Sequence, residues 1–123
     1  MNYKKILLFQ VNKEKKKQIS ELCRSLDIIP VIVPRGQYEE TLGALAGIDG
    51  FTLSGKGYGG VPLNTDMMVF SGIASNTLDN FLKEYKLAGI EPIPLKAVLT
   101  RHNIFWNAKQ LYEELCKEHA EMH

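Results

Sequence analysis

The sequence predicts an α/β fold: a single-domain, three-layer sandwich with a mostly parallel four-stranded sheet and helices on both faces. Three observations predict it. Short β-prone apolar runs alternate four times with segments of helical periodicity, the order that parallel sheets produce. The connections are short except in the middle of the chain. The run MMVFSG (67–72) is apolar with no alternation, as expected of a strand covered on both faces. A ferredoxin-like α+β sheet is the alternative. It needs the second and third strands to pair as a hairpin, yet the long stretch 35–66 separates them.

The 123 residues suffice for one core and are too few for two comfortable ones, so one domain over 1–123 is expected. Hydrophobic residues make up 45%, charged residues 24%, and the formal net charge is +1. That balance is ordinary for a soluble protein and gives no overall pull toward nucleic acid or a membrane. No apolar run approaches the ~20 residues of a bilayer span. MNYKKILLFQV has basic residues before an apolar run, as signal peptides do. Polar Gln10 and Asn12 close that run early, and no small-residue cleavage site follows. The segment reads as a first strand and the protein as cytoplasmic.

The elements follow in order. KKILLF (4–9) is the first strand, and Asn12 fits the N-cap of the next helix. Ile19, Leu22, Cys23 and Leu26 recur at helical spacing and form one buried stripe. Lys13, Lys15, Lys16 and Lys17 crowd the first turns, where cations oppose the helix dipole. IIPVIVP (28–34) is a second strand whose prolines suit an edge. QYEETLGALAG (37–47) reads as a short helix stopped by Gly47, and 51–64 as a loop. After the third strand, Ser75 fits an N-cap. Leu78, Phe81, Leu82 and Tyr85 form the next stripe, and Gly89 ends that helix. IPLKAVLT (93–100) is the fourth strand and 107–121 the last helix. No internal repeat is visible.

Several chemical motifs can be weighed and set aside. SGKGYGG (54–60) is glycine-rich, but Val61-Pro62 follows where a dinucleotide or phosphate loop would open a helix. Cys23 and Cys116 form neither a disulfide framework nor a zinc set, and their helical spacing suggests buried, reduced thiols. His119 and His123 lie four apart, too few ligands for a metal site, so no metal or cofactor is expected. Ser71 and His102 could form a nucleophile and base, but G-x-S-x-G is absent. A phosphorelay receiver is excluded because Ser71 stands where the phosphoacceptor Asp would end the third strand.

The corner KAVLTRHNIFWNAKQ (96–110) holds the strongest signals. Asn107 and Gln110 form a capping-box pattern, and Trp106 with Leu111 a hydrophobic staple. Thr100, Arg101, His102 and Asn103 are not explained that way. They lie just past a strand's carboxyl end, where open α/β sheets place ligands. In a parallel sheet, Gln10–Asn12 and Ser71, Gly72 and Ser75 would reach the same edge. Arg101 could grip a phosphate or carboxylate with two parallel bonds.

LGALAG (42–47), MMVFSG (67–72), LKAVLT (95–100) and LYEELCKEH (111–119) together resemble a family of short bacterial proteins from clostridia-like Firmicutes, a domain of unknown function. The likeness runs over nearly the whole chain. In that family Thr-Pro-Thr-Asn follows the fourth strand, with Trp three residues on. This chain keeps Thr100, Asn103 and Trp106 but departs at Arg101 and His102. The resemblance implies a bacterial cytoplasmic origin and draws attention to Lys96, Thr100, Asn103 and Trp106; it implies no activity.

The functional expectation is a non-enzymatic module binding a small anion or an acidic partner segment. Its site would comprise Lys96, Thr100, Arg101, His102, Asn103, Ser71 and Gly72. A homodimeric interaction module, using the edge 28–34 or the loop 51–60, is the second reading. A hydrolase-like enzyme using Ser71 and His102 is the third.

Overall fold

The computed structural model describes residues 3–121. Its strands are β1 (Lys5–Phe9), β2 (Ile29–Val33), β3 (Met67–Ser71) and β4 (Leu95–Val98), and the sheet order is β2-β1-β3-β4. The helices are α1 (Lys13–Ser25), α2 (Leu42–Leu45), α3 (Ser75–Leu87) and α4 (Ala108–Glu121). Two 3-10 turns, Arg35–Gln37 and Asn103–Phe105, precede α2 and α4.

The sheet is mixed rather than mostly parallel. β1 pairs with β2, and β3 with β4, in parallel, but the central pair β1–β3 is antiparallel. The ferredoxin-like alternative is not formed either, since β2 and β3 lie on opposite sides of β1. The direction of β3 is set where the chain approaches it. Leu63 N donates to Gln10 Oε1 (3.2 Å), and Asp66 pairs with Lys15 on α1. Both contacts hold the start of β3 beside the end of β1, so Met67 faces Phe9 and Ser71 faces Lys5.

Strand alternation sorts the core into two clusters. Ile6, Leu8, Met68 and Phe70 pack against Ile19 and Cys23 of α1 and Phe81 and Tyr85 of α3. Leu7, Phe9, Met67, Val69 and Leu95 pack against Leu42 and Leu45 of α2 and Ala108 and Leu111 of α4. Helices therefore cover both faces, as the sequence predicts.

Local chemistry explains the helix ends. Asn12 Oδ1 accepts from Lys15 N (2.8 Å) and caps α1. Asn107 and Gln110 bond each other's backbone N–H reciprocally, each at 2.9 Å, which completes the capping box. Trp106 packs on the cluster that holds Leu111. Ser75 is not a cap: Ala74 occupies that position and offers no side-chain acceptor, so Ser75 is the first helical residue. The expected helix over 37–47 is only the turn Arg35–Gln37 followed by four residues of α2, capped by Thr41. Glu40 faces inward, and Gly47 ends the helix at φ 71°.

The chain does contain an internal repeat. The order strand, helix, strand, 3-10 turn, helix occurs twice, and the antiparallel pair β1–β3 relates the two copies by an approximate two-fold. α1 and α3 are both 13 residues long. Gln10 and Gly72, each one residue past a strand, both take left-handed φ (61° and 69°). So do Asp27 and Gly89 past the helices, at 59° and 71°. Buried residues correspond at one constant spacing: Ile6 to Met68, Ile19 to Phe81, Cys23 to Tyr85, Ile28 to Ile90. Thr41 and Asn107, the two matching caps, form a bridge with each other, as residues beside a two-fold axis must. Few of these positions share a residue type, and an insertion at 91–94 shifts the spacing. What repeats is burial and backbone handedness.

The sheet's edges are guarded. Ile29 N donates to Lys4 O, so by alternation Pro30 and Ile32 face outward from β2, and Pro30 has no N–H to offer. On β4, the outward carbonyl of Val98 accepts from Asn103 Nδ2 at 3.0 Å.

Two stability predictions follow from this packing. A Cβ on Gly43 would lie 2.8 Å from both Ile104 Cγ1 and the Phe51 ring. Gly43→Ala should lower the unfolding free energy in urea by about 1–3 kcal/mol. Lys15 and Asp66 form an ion pair with side chains only 8% and 11% exposed, and Lys15 Nζ also donates to Pro92 O at 3.1 Å. Asp66→Asn should cost roughly 3 kcal/mol, because it leaves a buried ammonium uncompensated. The double change Lys15→Met with Asp66→Leu should cost less than Asp66→Asn alone in the same titration.

Candidate functional site

The mixed sheet decides which segments meet. Because β1 and β3 are antiparallel, the carboxyl ends of β3 and β4 lie beside the amino end of β1. Between them, on the α2/α4 face, opens a crevice of about 440 Å³. Its polar lining comes from Lys5, Ser71, Gly72, Thr100 and Arg101, and its apolar lining includes Ile48, Leu99 and Ile104. Among the described residues, no carboxylate, histidine or thiol lines it.

Each polar group is positioned by a local cause. Lys5 begins β1 and is directly opposite Ser71 in the ladder. Its Nζ donates to Ala46 O (2.7 Å), the carbonyl end of α2, where a cation is favoured. Gly47 allows that approach, since a Cβ there would come 2.9 Å from Lys5 Nζ. Gly72 turns the chain out of β3 at φ 69°. Arg101 is exposed. Among the described residues, neither Lys5 nor Arg101 has a carboxylate within the 4.0 Å of an ion pair.

The turn after β4 is built from its own side chains. Thr100 N donates to Asn103 Oδ1 (2.8 Å). Thr100 Oγ1 accepts from His102 N (3.2 Å) and Asn103 N (3.1 Å). This closed set of bonds presents Arg101 at the turn's tip.

Of the residues singled out in the sequence, Ser71, Gly72, Thr100 and Arg101 come together in the crevice. The other three, Lys96, His102 and Asn103, line a second groove against α4 together with Thr100 and Trp106. The Lys96 side chain sits on the opposite face, opposite Met68 in the ladder, with Nζ donating to Ile93 O at 2.9 Å. His102 lies edge-on to Trp106 in that groove, ring centroids 5.4 Å apart. Ser71 and His102 therefore line separate cavities. Asn103 is buried and spends its side chain on the turn. Gln10–Asn12, expected at the same edge, lie at the far end of the sheet because β1 runs opposite to β3. Lys5 and Gly47 were not anticipated. The only sequence signal for Lys5 was a lysine opening an otherwise apolar strand.

The glycine-rich loop is tethered. Glu40 is only 4% exposed, and its carboxylate accepts from Ser54 N (2.7 Å) and Gly55 N (2.9 Å). Tyr58 packs against Tyr38 with ring centroids 5.5 Å apart and planes tilted by 49°, and donates its hydroxyl to Val61 O. Backbone hydrogen bonding from Ser54 holds the Glu40 carboxyl below its ordinary value. Burial pushes the Cys23 thiol up to about 12, which makes it a poor nucleophile, whereas Cys116 is only half-buried. Among the described residues, no group of three or more His, Cys, Asp or Glu could hold a metal, and no helix is long and apolar enough to cross a membrane. His119 lies on α4, and its expected partner His123 lies outside the described residues.

The class is thus a small mixed α/β protein of two repeated units, with a cationic crevice at one end of its sheet. Residues 66–122 match the model of a family described as a domain of unknown function (DUF3783). That span runs from the start of β3 into α4, so it covers the second unit rather than nearly the whole chain; LGALAG at 42–47 falls outside it. No curated protein and no solved structure matches the chain.

The Glu40 tether gives a pH prediction. Its pKa is lowered on folding, so its contribution is present above the ordinary value of 4.5 and is lost as pH falls through the lowered one. The Ser54 and Gly55 amide resonances should titrate together with a midpoint below 4.5, and Glu40→Gln should abolish that step.

Proposed function

We propose that the protein is a non-enzymatic binding module, acting as one domain in a bacterial cytoplasm. Its ligand is a small anion bearing phosphate or carboxylate, or the acidic end of a partner segment. One observation carries the reading: a crevice of about 440 Å³ holds two cationic side chains and no acid to neutralise them. Arg101 supplies a planar fork of donors, and Lys5 adds a second charge across the opening. The backbone at Gly72 can approach closely because no Cβ stands there. The described lining holds no histidine, carboxylate or thiol, the commonest general bases, and the Lys5 ammonium is engaged by Ala46 O, which favours binding over catalysis. A homodimeric module is the second reading, favoured by Ile29 and Ile32, which are 44% and 51% exposed on the β2 edge. Pro30 on that edge weighs against strand addition.

Native mass spectrometry of freshly purified protein tests the first reading. A stoichiometric added mass is expected on the wild type and is lost in Arg101→Ala. In calorimetric titration with inorganic phosphate, Arg101→Ala should weaken binding about tenfold or more, the worth of one charge-assisted hydrogen bond. The melting temperature should hardly change, since Arg101 is exposed. A large loss of stability with unchanged phosphate affinity would make Arg101 structural and defeat the reading.

A further inference from the structure

The two-fold that relates the units also relates their strand ends. Lys5 corresponds to Met67 along the central strands, and Ile29, the ladder partner of Lys5, to Leu95, the ladder partner of Met67. Counting on from those two residues, Val33 falls on Leu99, Pro34 on Thr100, and Arg35 on Arg101. The same spacing brings Thr41 onto Asn107, the pair that bridge each other. Arg35 and Arg101 are thus one position of the repeat, each just past a parallel edge strand.

We propose that the molecule carries a second anion crevice around Arg35, at the opposite end of the sheet, and takes two anions of one class per chain. This rests on the reading of the Arg101 crevice given above. A cavity of about 500 Å³ lies at that end of the sheet, and Gln10, Val33, Pro34, Arg35 and Tyr38 in its lining match Gly72, Leu99, Thr100, Arg101 and Ile104 in the first. The rest of its lining, Leu8, Val11, Asn12, Lys16 and Ile32, has no counterpart there and turns the cavity toward α1 rather than toward the α2/α4 face. Among the described residues it too holds two cations, Arg35 and Lys16, and no carboxylate. Among the described residues, neither has a carboxylate within 4.0 Å.

The neighbouring side-chain oxygens are already engaged. Gln10 Oε1 accepts from Tyr38 Oη and Leu63 N, and Asn12 Oδ1 accepts from Lys15 N. Arg35 and Lys16 remain to meet a ligand. The crevice also gives a reason for part of the awkward lysine cluster at the start of α1. Lys15 is used by Asp66, and Lys16 lines the cavity, where an anion would offset its charge at the positive end of the helix. Lys13 and Lys17 have no such explanation.

The test is a titration of the full-length protein with inorganic phosphate, followed by amide resonances at constant ionic strength. Two sets of saturating shifts are expected, one around Gly72 and Arg101 and one around Gln10 and Arg35. Arg101→Ala should erase only the first set and Arg35→Ala only the second. Each leaves the remaining site's affinity within about twofold, as expected of sites on opposite ends of a sheet. Saturation at the Arg101 set alone would overturn this inference and leave the first reading standing. Saturation at the Arg35 set alone, or at neither, would overturn both. Non-saturating drift spread over Lys13–Lys17 would also overturn the second crevice, because it marks diffuse attraction rather than a site.

Discussion

Every strand end in this molecule is placed by the antiparallel ladder between β1 and β3. Reversing that pairing would carry Lys5 to the far end of β3 and dissolve the crevice, although each parallel pair would survive. The ladder's own hydrogen bonds do not fix its direction, since apart from the Lys5–Ser71 pair at one end both central strands are buried and apolar. Direction comes from two contacts just before β3 begins. Gln10, in a left-handed conformation, accepts from Leu63 N, and the Lys15–Asp66 pair ties α1 to the residue preceding the strand. The ion pair is nearly buried, so a register that separated its members would strand a charge away from water. We regard it as a specificity device more than a source of stability.

That explains which parts of the fold were legible in the sequence. Strands, helices, the Asn12 cap, the capping box at Asn107 and the glycine stops are local events, and the residues that cause them sit inside each element. The apolar run of β3 correctly announced a central strand. Strand direction is a long-range outcome, decided by side chains at Gln10 and Lys15 whose partners lie more than fifty residues away. No local pattern encodes them. The repeat was hidden for a related reason. Its copies agree in burial and in handed turn positions, but Gln10 stands for Gly72 and Asp27 for Gly89, so even the glycine punctuation differs.

The corner after β4 shows how one short segment can serve fold and site together. Thr100 and Asn103 looked like candidate ligands because ordinary capping rules did not account for them. Their hydrogen bonds are spent within the turn, on Val98 O and on the N–H groups of Thr100, His102 and Asn103. The frame is rigid, and what it presents is Arg101. The family model that matches 66–122 contains this turn and the strand before it, but not Lys5 or Gly47. The crevice is therefore made jointly by a matched unit and its partner unit, and neither sequence alone contains it.

The two copies differ at one informative place. α2 stops after Leu45, and its last carbonyls face the crevice, where Lys5 Nζ binds Ala46 O. At the corresponding point of the second copy, α4 does not stop but runs on to Glu121, so its carbonyls there are satisfied within the helix. The residue equivalent to Lys5 is Met67, fully buried in the apolar cluster. A lysine is needed where a helix ends over the strand, and an apolar residue suffices where it continues. The truncation of α2 thus creates the demand for a cation at Lys5 and, by the same stroke, opens the space in front of it. On this account the charge of the first crevice is a consequence of a shortened helix. In the proposed second crevice the charge beside Arg35 comes from elsewhere, from Lys16 on α1, which lines the cavity.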